Sequence, residues 1–417
     1  MASLLVRNIH LLAQVHSTVP ALVRGRAMAQ VPVLENAWLL SENGRIHSFG
    51  SMDSCPERAD TILDATGRIV LPGWCDSHTH IVFAAPRDEE FVDRIRGLSY
   101  EEIAERGGGI LNSARRLQAM SEDALFAAAL GRLEEVIGYG TGAIEIKSGY
   151  GLSVESELKM LRVIRRLKAV SPIPIKATFL GAHAVPQAYK QDREGYIRLV
   201  IEEMLPQVAA EGLADYCDVF CDKGFYTPEE TDRILEAGLK YGLKPKIHAN
   251  ELDYSGGVQA GIARDAISVD HLEYCGPEEI TALQNSRTLP TLLPSCAFFL
   301  GIPYGPARAI IDADLPLVLA SDYNPGSSPS GRMSFVVALA CIRMKILPEE
   351  AINAATINGA YAMELGDQCG SISPGMAANF FISRPMKQLS ELPYWFGNDP
   401  VEQMVVQGAV WSRNKTS

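Results

Sequence analysis

Two histidines that stand two positions apart, His78 and His80, are the first residues of this chain whose spacing suggests chemistry. They follow the apolar run of residues 68–76, which predicts that they end a β-strand. On extended backbone, residues i and i+2 point to the same side, so both imidazoles can reach one ion. Neutral imidazole is a common ligand of divalent transition metals. Two buried, hydrogen-bonded histidines would give the same pattern, so a metal site requires further ligands from elsewhere in the chain.

The elements that must position these histidines alternate along the sequence. Apolar, β-rich runs alternate with helical, charge-rich segments, which is typical of a parallel α/β fold. Helices are predicted at residues 122–138, 154–170, 194–210, 228–241 and 255–263. Strands are predicted at residues 68–78, 142–148, 174–181, 216–222, 244–249, 266–272, 288–295 and 315–322. Eight such units predict an α/β fold of the (β/α)8 TIM barrel type, whose reactive residues lie at the C-terminal ends of the strands.

Most of the histidines fall at that end of the predicted strands. Of the eight histidines, five do so, and Asp322 closes the eighth strand: the five are His78, His80, His183, His248 and His271. We predict that His78, His80, His248 and Asp322 hold the metal. Three neutral nitrogens and one carboxylate suit zinc or iron and disfavour calcium or magnesium. A bound ion lowers the pKa of a coordinated water toward 7, and Asp322 can serve as both ligand and base.

Two further residues are predicted to be catalytic together with Asp322. His271 could hydrogen-bond the attacking water or hold a developing oxyanion. Glu251 follows His248 by three residues and could exchange a proton with a substrate nitrogen; it could instead cap a helix or form a surface ion pair. The predicted fourth strand does not end in a lysine that could bridge a second metal, so we expect one Zn²⁺ or Fe ion per subunit.

Composition restricts the partners and the compartment. The formal net charge of −12 argues against nucleic-acid and anionic-membrane partners, whose phosphates would repel an acidic surface. The eight cysteines are scattered without a C-x-x-C pair, which indicates reduced thiols. Arg7, Asn8 and His10 interrupt the apolar N-terminal run before it could form a signal sequence or a membrane span. We expect a cytoplasmic enzyme with a small-molecule substrate.

The two ends of the chain differ from its middle. Residues 1–66 contain short alternating strands and the turn signal Glu42-Asn43-Gly44, and residues 369–417 show similar short strands between glycine and proline turns. We predict that both ends pair into one small β-sandwich beside a metal-dependent hydrolase barrel of residues 67–368.

Taken together, these residues resemble the amidohydrolase superfamily, whose members place H-x-H after strand 1, histidines after strands 5 and 6, and an aspartate after strand 8. Over about residues 70–365 the resemblance narrows to the imidazolonepropionase family. It rests on seven segments, in order and spacing: PGWCDSHTHIVFAAPRDEEFVDRIRGLSYEEIAERGGGI, EIKSGYGL, TFLGAHAVP, DVFCDKG, KIHANE, SVDHLEY and SDYNPGSSP.

The resemblance implies hydrolysis of 4-imidazolone-5-propanoate to N-formimidoyl-L-glutamate, a step of histidine degradation. It also implies substrate contacts from Arg87, Tyr150, His183, Glu251, Asn324, Gly326 and Ser327. A propionate tail needs a planar cation and hydroxyl donors, which Arg87, Tyr150 and Tyr100 can offer. Related barrels commonly pair, so we expect a homodimer.

Two other functions compete with this one. A metal-dependent aminohydrolase of the same superfamily would remove an exocyclic amine from a purine, pyrimidine or triazine, and it would not need a carboxylate clamp of Arg87 and Tyr150. A barrel reused as an inactive scaffold would be expected to have lost its ligands, which are all present here. The choice between zinc and iron, and the residue that protonates the leaving nitrogen, stay open at this point.

Overall fold

The computed structural model describes residues 2–98, 102 and 108–412. Within these residues, strands β1 to β16 form two eight-stranded sheets. The strands are β1 (Ser3–Ala13), β2 (Val33–Glu42), β3 (Arg45–Ser51), β4 (Thr61–Asp64), β5 (Arg68–Pro72), β6 (Trp74–Asp76), β7 (Thr141–Lys147), β8 (Ile175–Ala182), β9 (Tyr216–Cys221), β10 (Lys244–Ala249), β11 (Ser268–His271), β12 (Leu289–Leu292), β13 (Val318–Leu319), β14 (Phe380–Pro385), β15 (Val401–Val406) and β16 (Ala409–Val410).

Helices lie mainly between the strands of the second sheet. They are α1 (Asp88–Ile95), α2 (Gly109–Ala119), α3 (Glu122–Gly138), α4 (Val154–Val170), α5 (Arg193–Arg198), α6 (Leu205–Ala210), α7 (Pro228–Lys240), α8 (Gly257–Ala263), α9 (Pro277–Gln284), α10 (Pro294–Leu300), α11 (Ala307–Asp312), α12 (Met333–Met344), α13 (Pro348–Ala355), α14 (Ile357–Ala362) and α15 (Glu391–Tyr394). Short 3-10 turns occupy Gly25–Ala29, Met52–Ser54 and Gln187–Tyr189. Among the described residues, no helix is both long and apolar enough to span a membrane.

The second sheet is a (β/α)8 barrel, as the sequence predicts. Strands β6 to β13 pair in chain order, each parallel to the next. The backbone just beyond β6 and β13 closes the ring. The His80 N–H donates to the Tyr323 carbonyl at 2.9 Å, and the Asp322 N–H donates to the His78 carbonyl at 3.0 Å. The predicted ligands from the two ends of the barrel therefore meet where the barrel closes.

The long barrel helices begin where the sequence supplies a cap. Ser121 accepts a hydrogen bond from the Ala124 N–H at the start of α3, and Ser153 caps α4 in the same way. Both helices have the predicted bounds. The predicted helix 194–210 is instead interrupted by a π-helical turn at Leu199–Met204. Pro206 follows this turn and lacks an N–H for a regular helical bond, which accounts for the widened turn.

The first sheet joins both ends of the chain, as predicted for the β-sandwich. Strand β5 connects the two halves, because it pairs parallel with β1 and antiparallel with β14. The predicted single strand 68–78 was wrong in one respect: β5 belongs to this terminal sheet and only β6 belongs to the barrel. The chain changes sheets at Gly73, where a Cβ atom would lie 2.7 Å from the Cα of Gly142. The domain boundaries at residues 66/67 and 368/369 stay predictions.

Candidate active site

Three histidines and one aspartate converge at the rim where the barrel closes. The Nε2 atoms of His78 and His80 are 3.3 Å apart, and those of His80 and His248 are 3.4 Å apart. The Asp322 Oδ1 atom lies 3.5 Å from the His78 Nε2 and 3.6 Å from the His80 Nε2. Each of these residues is at most 2% exposed. The structure thus brings together all four residues that the sequence predicts as ligands.

Ligand atoms of His78, His80 and Asp322 lie within 4.8 Å of one another, as a shared metal ion requires, and those of His248 form a second such group with His78 and His271. A tetrahedral zinc with Zn–N distances of about 2.0–2.1 Å has ligand atoms about 3.3–3.4 Å from one another. Burial lowers the pKa of both His78 and His80 well below the ordinary value, so their nitrogen lone pairs are available. The donor set of three neutral nitrogens and a carboxylate is one that zinc and iron accept. The residues present therefore fit a metal centre.

Buried carboxylates fix two of the histidine rings from behind. The Nδ1 of His78 lies 2.6 Å from Asp270 Oδ2, and the Nδ1 of His248 lies 3.1 Å from Asp218 Oδ1. A carboxylate accepts a hydrogen bond from Nδ1–H, so Nδ1 keeps the ring proton and the lone pair stays on Nε2, the atom that faces the other ligands. These aspartates select the tautomer that a metal needs.

A charged network fills the barrel below this rim. The Lys147 ammonium donates to Glu145 at 2.7 Å and to Asp218 at 2.8 Å, and it lies 3.7 Å from Asp270. Lys246 donates to the other oxygen of Glu145. The side chains of all five residues are fully buried. Barrel interiors are usually filled by branched apolar residues, so this charged interior departs from the common pattern.

His271 lies beside the four ligands and between two carboxylates. Its Nε2 is 3.7 Å from Glu251 and its Nδ1 is 3.6 Å from Glu273. Burial alone would lower the pKa of His271, but Glu251 and Glu273 raise it well above the ordinary value. Burial raises the pKa of Glu251. Ligand atoms of His78, His248 and His271 also lie within 4.8 Å of one another, so His271 adjoins the metal position.

Asp322 is held in place by the turn that follows it. The Asn324 amide donates to Asp322 Oδ2 at 2.8 Å, and the Ser327 hydroxyl donates to the same oxygen at 3.2 Å. Because Oδ2 is engaged, Oδ1 is the atom turned toward the histidines. Burial raises the pKa of Asp322 to about 6, which is close to neutral pH. Its φ of 55° lies in the left-handed region, as do those of Asn8, Asn43 and Asp314 elsewhere in the chain.

A cavity of about 430 Å³ opens from these residues. It is lined by His80, Arg87, Glu90, Arg94, Leu98, Ile110, Tyr150, His183, Phe220, Phe225, His248, Glu251, Leu252, His271, Leu300, Ile302, Asp322, Asn324, Gly326 and Ser327. Arg87 is fixed by one bond, from its Nε to the Ser113 hydroxyl at 2.8 Å. Its Nη2 is buried and has no hydrogen-bond partner among the described residues. The cavity therefore combines the metal ligands with a guanidinium that can accept an anion.

Tyr150 and His183 line the cavity beside Arg87. The Arg87 guanidinium lies 5.6 Å from the centre of the Tyr150 ring, and the His183 ring stacks on His80 at 5.6 Å. The His183 Nδ1 lies 3.0 Å from the Gly149 carbonyl, to which it can only donate. Burial lowers the pKa of His183 to about 3, so the ring is neutral and its Nε2 is left to accept a hydrogen bond.

Of the eight substrate-binding residues predicted from the sequence, seven line the cavity and one lies outside the described residues. Arg87, Tyr150, His183, Glu251, Asn324, Gly326 and Ser327 all line the cavity, whereas Tyr100 lies outside the described residues. The Asn324 oxygen accepts from the Gly326 and Ser327 N–H groups at 2.7 and 2.8 Å, so both ends of this amide are engaged within the turn. Their roles toward a substrate stay predictions.

Sequence reasoning missed the residues that support the site, including Ser113, Lys147, Asp218, Asp270 and Glu273. A signal for Lys147 is present in the sequence. Charged residues stand at every second position in otherwise apolar strands, as Glu145 and Lys147 do in β7. Because alternate residues of a strand face the same side, such charges must share one face of the barrel. Ser113 gives no comparable signal.

Comparisons with known proteins identify the family of the chain. Residues 69–410 match the amidohydrolase family. The chain is 56% identical over 407 residues to an imidazolonepropionase of Flavobacterium johnsoniae, covering 97% of this chain and 99% of that one. It is 40% identical over 416 residues to an imidazolonepropionase of Geobacillus kaustophilus, covering 98% of both chains.

Solved structures share the fold at much lower identity. A triazine hydrolase from Arthobacter aurescens superimposes with a TM-score of 0.74 at 15% identity, covering 99% of this chain and 95% of that one. A guanine deaminase from C. acetobutylicum superimposes with a TM-score of 0.69 at 16% identity, covering 98% of this chain and 100% of that one. At this identity the likeness establishes the fold alone. With the family match and the near-complete relatives, the chain belongs to the amidohydrolase family and, within it, to the imidazolonepropionases.

Proposed function

We propose that this chain hydrolyses 4-imidazolone-5-propanoate to N-formimidoyl-L-glutamate. The observation that carries the proposal is the buried Nη2 of Arg87, which has no partner among the described residues and lines the same cavity as the metal ligands. A buried donor without a partner is costly, and a carboxylate is the partner that a guanidinium binds best. A substrate with a carboxylate tail and a hydrolysable ring satisfies both parts of the cavity.

Several residues would orient the substrate. The propionate would bind Arg87, with the Tyr150 ring beside it, and the neutral His183 would accept a hydrogen bond from the substrate. The ring would then lie against His271, Glu251 and Asp322. Phe220 and Phe225 add apolar walls that keep bulk water from the ring.

The reaction adds water to the ring carbonyl carbon, breaks a ring C–N bond and transfers a proton to the departing nitrogen. When bound by His78, His80, His248 and Asp322, the metal ion would supply Lewis acidity that makes water available as a nucleophile at neutral pH. Asp322, with its pKa raised to about 6, would take a proton from the water.

The remaining groups handle the charge and the second proton. Glu251 and Glu273 raise the pKa of His271, which favours its protonated form, and the imidazolium would donate a hydrogen bond to the oxyanion that develops on the carbonyl oxygen. Glu251, whose pKa burial raises, would exchange a proton with the ring nitrogen. The new carboxyl group and the freed nitrogen account for all atoms of water.

Three finer points belong to the same proposal. We infer one zinc or iron ion per subunit, a homodimer, and a cytoplasmic enzyme. Elemental analysis of the purified protein would measure the metal content, and light scattering coupled to size exclusion would measure the mass. A metal content near two per chain, or a monomeric mass for the active protein, would contradict the first two points.

Substrate specificity is tested by comparing three reactions under the same conditions. We expect ring opening of 4-imidazolone-5-propanoate, a large loss of kcat/KM for 4-imidazolone without the propionate, and no ammonia release from guanine or cytosine. Equal rates with and without the propionate would remove Arg87 from substrate recognition. Ammonia release from a base would instead identify an aminohydrolase.

A further inference from the structure

The proposed reaction assigns no role to the charged residues of the barrel interior. One of them, Lys147, is linked to two of the proposed metal ligands. We propose that Lys147 is a positioning residue for the metal centre: by holding the carboxylates of Asp218 and Asp270 together, it fixes the rings of His248 and His78. This inference rests on the proposed metal-dependent function. It assigns Lys147 no contact with substrate.

The contacts of Lys147 form two short chains to the ligands. One chain runs from the ammonium to Asp218 at 2.8 Å and from Asp218 to the His248 Nδ1 at 3.1 Å. The other runs from the ammonium to Asp270 at 3.7 Å and from Asp270 to the His78 Nδ1 at 2.6 Å. A single cation thus lies behind two histidines that come from different strands, after β6 and in β10.

The backbone of Lys147 supports the same region. Its N–H donates to the carbonyl of Thr79 at 2.8 Å, and Thr79 stands between His78 and His80. A side-chain substitution leaves this bond in place. The effect of such a substitution therefore reports on the ammonium group and not on the strand pairing.

The aspartates need a cation because they are fully buried. Asp218 accepts from the Lys147 ammonium and pairs with the His248 Nδ1, and Asp270 stands between the Lys147 ammonium and the His78 Nδ1. Among the described residues, their ion-pair and hydrogen-bond partners other than Lys147 are these two histidines. A buried carboxylate that loses its cation is free to reorient, and that movement would turn the histidine ring it holds.

Two possible effects of removing the Lys147 ammonium predict opposite changes in metal affinity. Removing a buried cation makes the surroundings more negative, which by itself would favour a divalent ion. Losing the orientation of His78 and His248 would weaken binding instead, and changes to groups behind metal ligands typically weaken metal affinity about 10- to 100-fold. The direction of the change therefore separates the two effects.

The chain offers a matched control in Lys246. It is also a fully buried lysine of the network, and its side chain contacts Glu145 and the ring of Tyr216. Among the described residues it lies within ion-pair distance of neither Asp218 nor Asp270. Lys246→Met removes the same charge from the same interior without touching the two chains to the ligands.

The experiment measures the affinity of metal-stripped protein for Zn²⁺ alone, by competition with a chromophoric chelator. We expect Lys147→Met to bind zinc about 10- to 100-fold more weakly than the unchanged chain and Lys246→Met to bind it nearly normally. Because no substrate is present, the result does not depend on the substrate assignment. A chain that binds zinc normally but fails to open the imidazolone ring would contradict the proposed function and leave this inference intact.

Several outcomes would overturn the inference. Tighter zinc binding by Lys147→Met would show that the charge of the lysine matters more than its positioning of the aspartates. Unchanged zinc binding would show that Lys147 does not influence the metal site. Equal weakening in both variants would show a general loss of barrel stability. If Lys147→Met does not fold, Lys147→Gln replaces it; if neither folds while Lys246→Met does, Lys147 is needed for folding and its positioning role is withdrawn.

Discussion

The two ends of the cavity are built in different ways. At the metal end, His78, His248 and Asp322 are each held by a further buried group, so their ligand atoms are fixed before any ligand arrives. At the other end, the Arg87 Nε donates to Ser113, and the Arg87 Nη2 has no hydrogen-bond partner among the described residues. Three of the four proposed metal ligands thus have a supporting partner, and the Nδ1 atoms of His80 and His271 are buried without a hydrogen-bond partner among the described residues. The group that recognises the substrate differs because its partnerless atom is a charged donor that lines the cavity.

This difference has a physical reason. Ligands of a metal must hold their geometry closely, so each one benefits from a partner that fixes its rotamer and tautomer. A recognition group normally breaks a hydrogen bond in the free enzyme before it can bond to the substrate. A buried donor without a partner has no such bond to break, so more of the binding free energy remains. Leaving it unpaired costs about 1–3 kcal/mol, and the substrate carboxylate would restore that free energy.

The largest expected effect lies at the metal end. Asp322→Asn removes the negative ligand and the proposed base, and general-base catalysis alone typically contributes about 10²–10⁴ in rate. We therefore expect kcat to fall by about 10⁴ or more and the metal content to drop. Steady-state kinetics and elemental analysis measure both. Asp312→Asn, an exposed aspartate of α11, serves as the control. Near-normal turnover would remove Asp322 from the site.

The next largest effect lies at the recognition end. Arg87→Met removes charge-assisted hydrogen bonds to the substrate carboxylate, each typically about 1.5–3 kcal/mol, so KM should rise about 100-fold or more. The change in kcat should be much smaller if the contact is equally strong in the ground state and in the transition state. Arg116→Met, an exposed arginine of α2, is the matched control. An unchanged KM would place the carboxylate elsewhere in the cavity.

The two ends also differ in how far the sequence predicts them. The convergence of His78, His80, His248 and Asp322 was predicted, because each follows an apolar strand and a parallel barrel gathers strand ends at one rim, whereas their role as metal ligands stays a prediction. The arginine was identified by family resemblance and by the chemistry of a propionate. Its bond to Ser113 was not predicted, because α2 and α1 approach each other through tertiary packing that leaves no periodic pattern in either segment.

In the barrel, too, the features set by local sequence were predictable and those set by contacts between distant segments were not. Strand positions followed from apolar runs, and the bounds of α3 and α4 followed from their caps. The split of residues 68–78 between two sheets could not be predicted, since the need for glycine at position 73 comes from its close approach to Gly142 of the neighbouring strand, which the local sequence does not show. The pairing of Lys147 with Asp218 and Asp270 likewise joins three strands, and no single segment contains it.

A third variant tests whether Arg87 needs the space beside it. A Cβ atom on Gly326 would lie 2.3 Å from the Arg87 Nη1, so Gly326→Ala must push the guanidinium aside. Moving the guanidinium weakens a charge-assisted hydrogen bond to the substrate carboxylate, typically about 1.5–3 kcal/mol, so KM should rise about tenfold or more. Metal content should stay normal, because the nearest atoms to the added methyl group belong to Arg87 and not to the proposed metal ligands. A fall in metal content would show that the two ends of the cavity are not independent.

The smallest effect is expected at Ser113, which holds Arg87 without touching the substrate. Ser113→Ala removes the bond to Nε and lets the guanidinium rotate, and a net hydrogen bond of about 0.5–1.5 kcal/mol predicts a two- to tenfold rise in KM. Because the serine acts only through Arg87, the same substitution should have no further effect in the Arg87→Met background. Measuring KM for both single variants and the double variant tests this. If the two effects simply add, Ser113 influences the substrate by another route, and the recognition end is held by more than one bond.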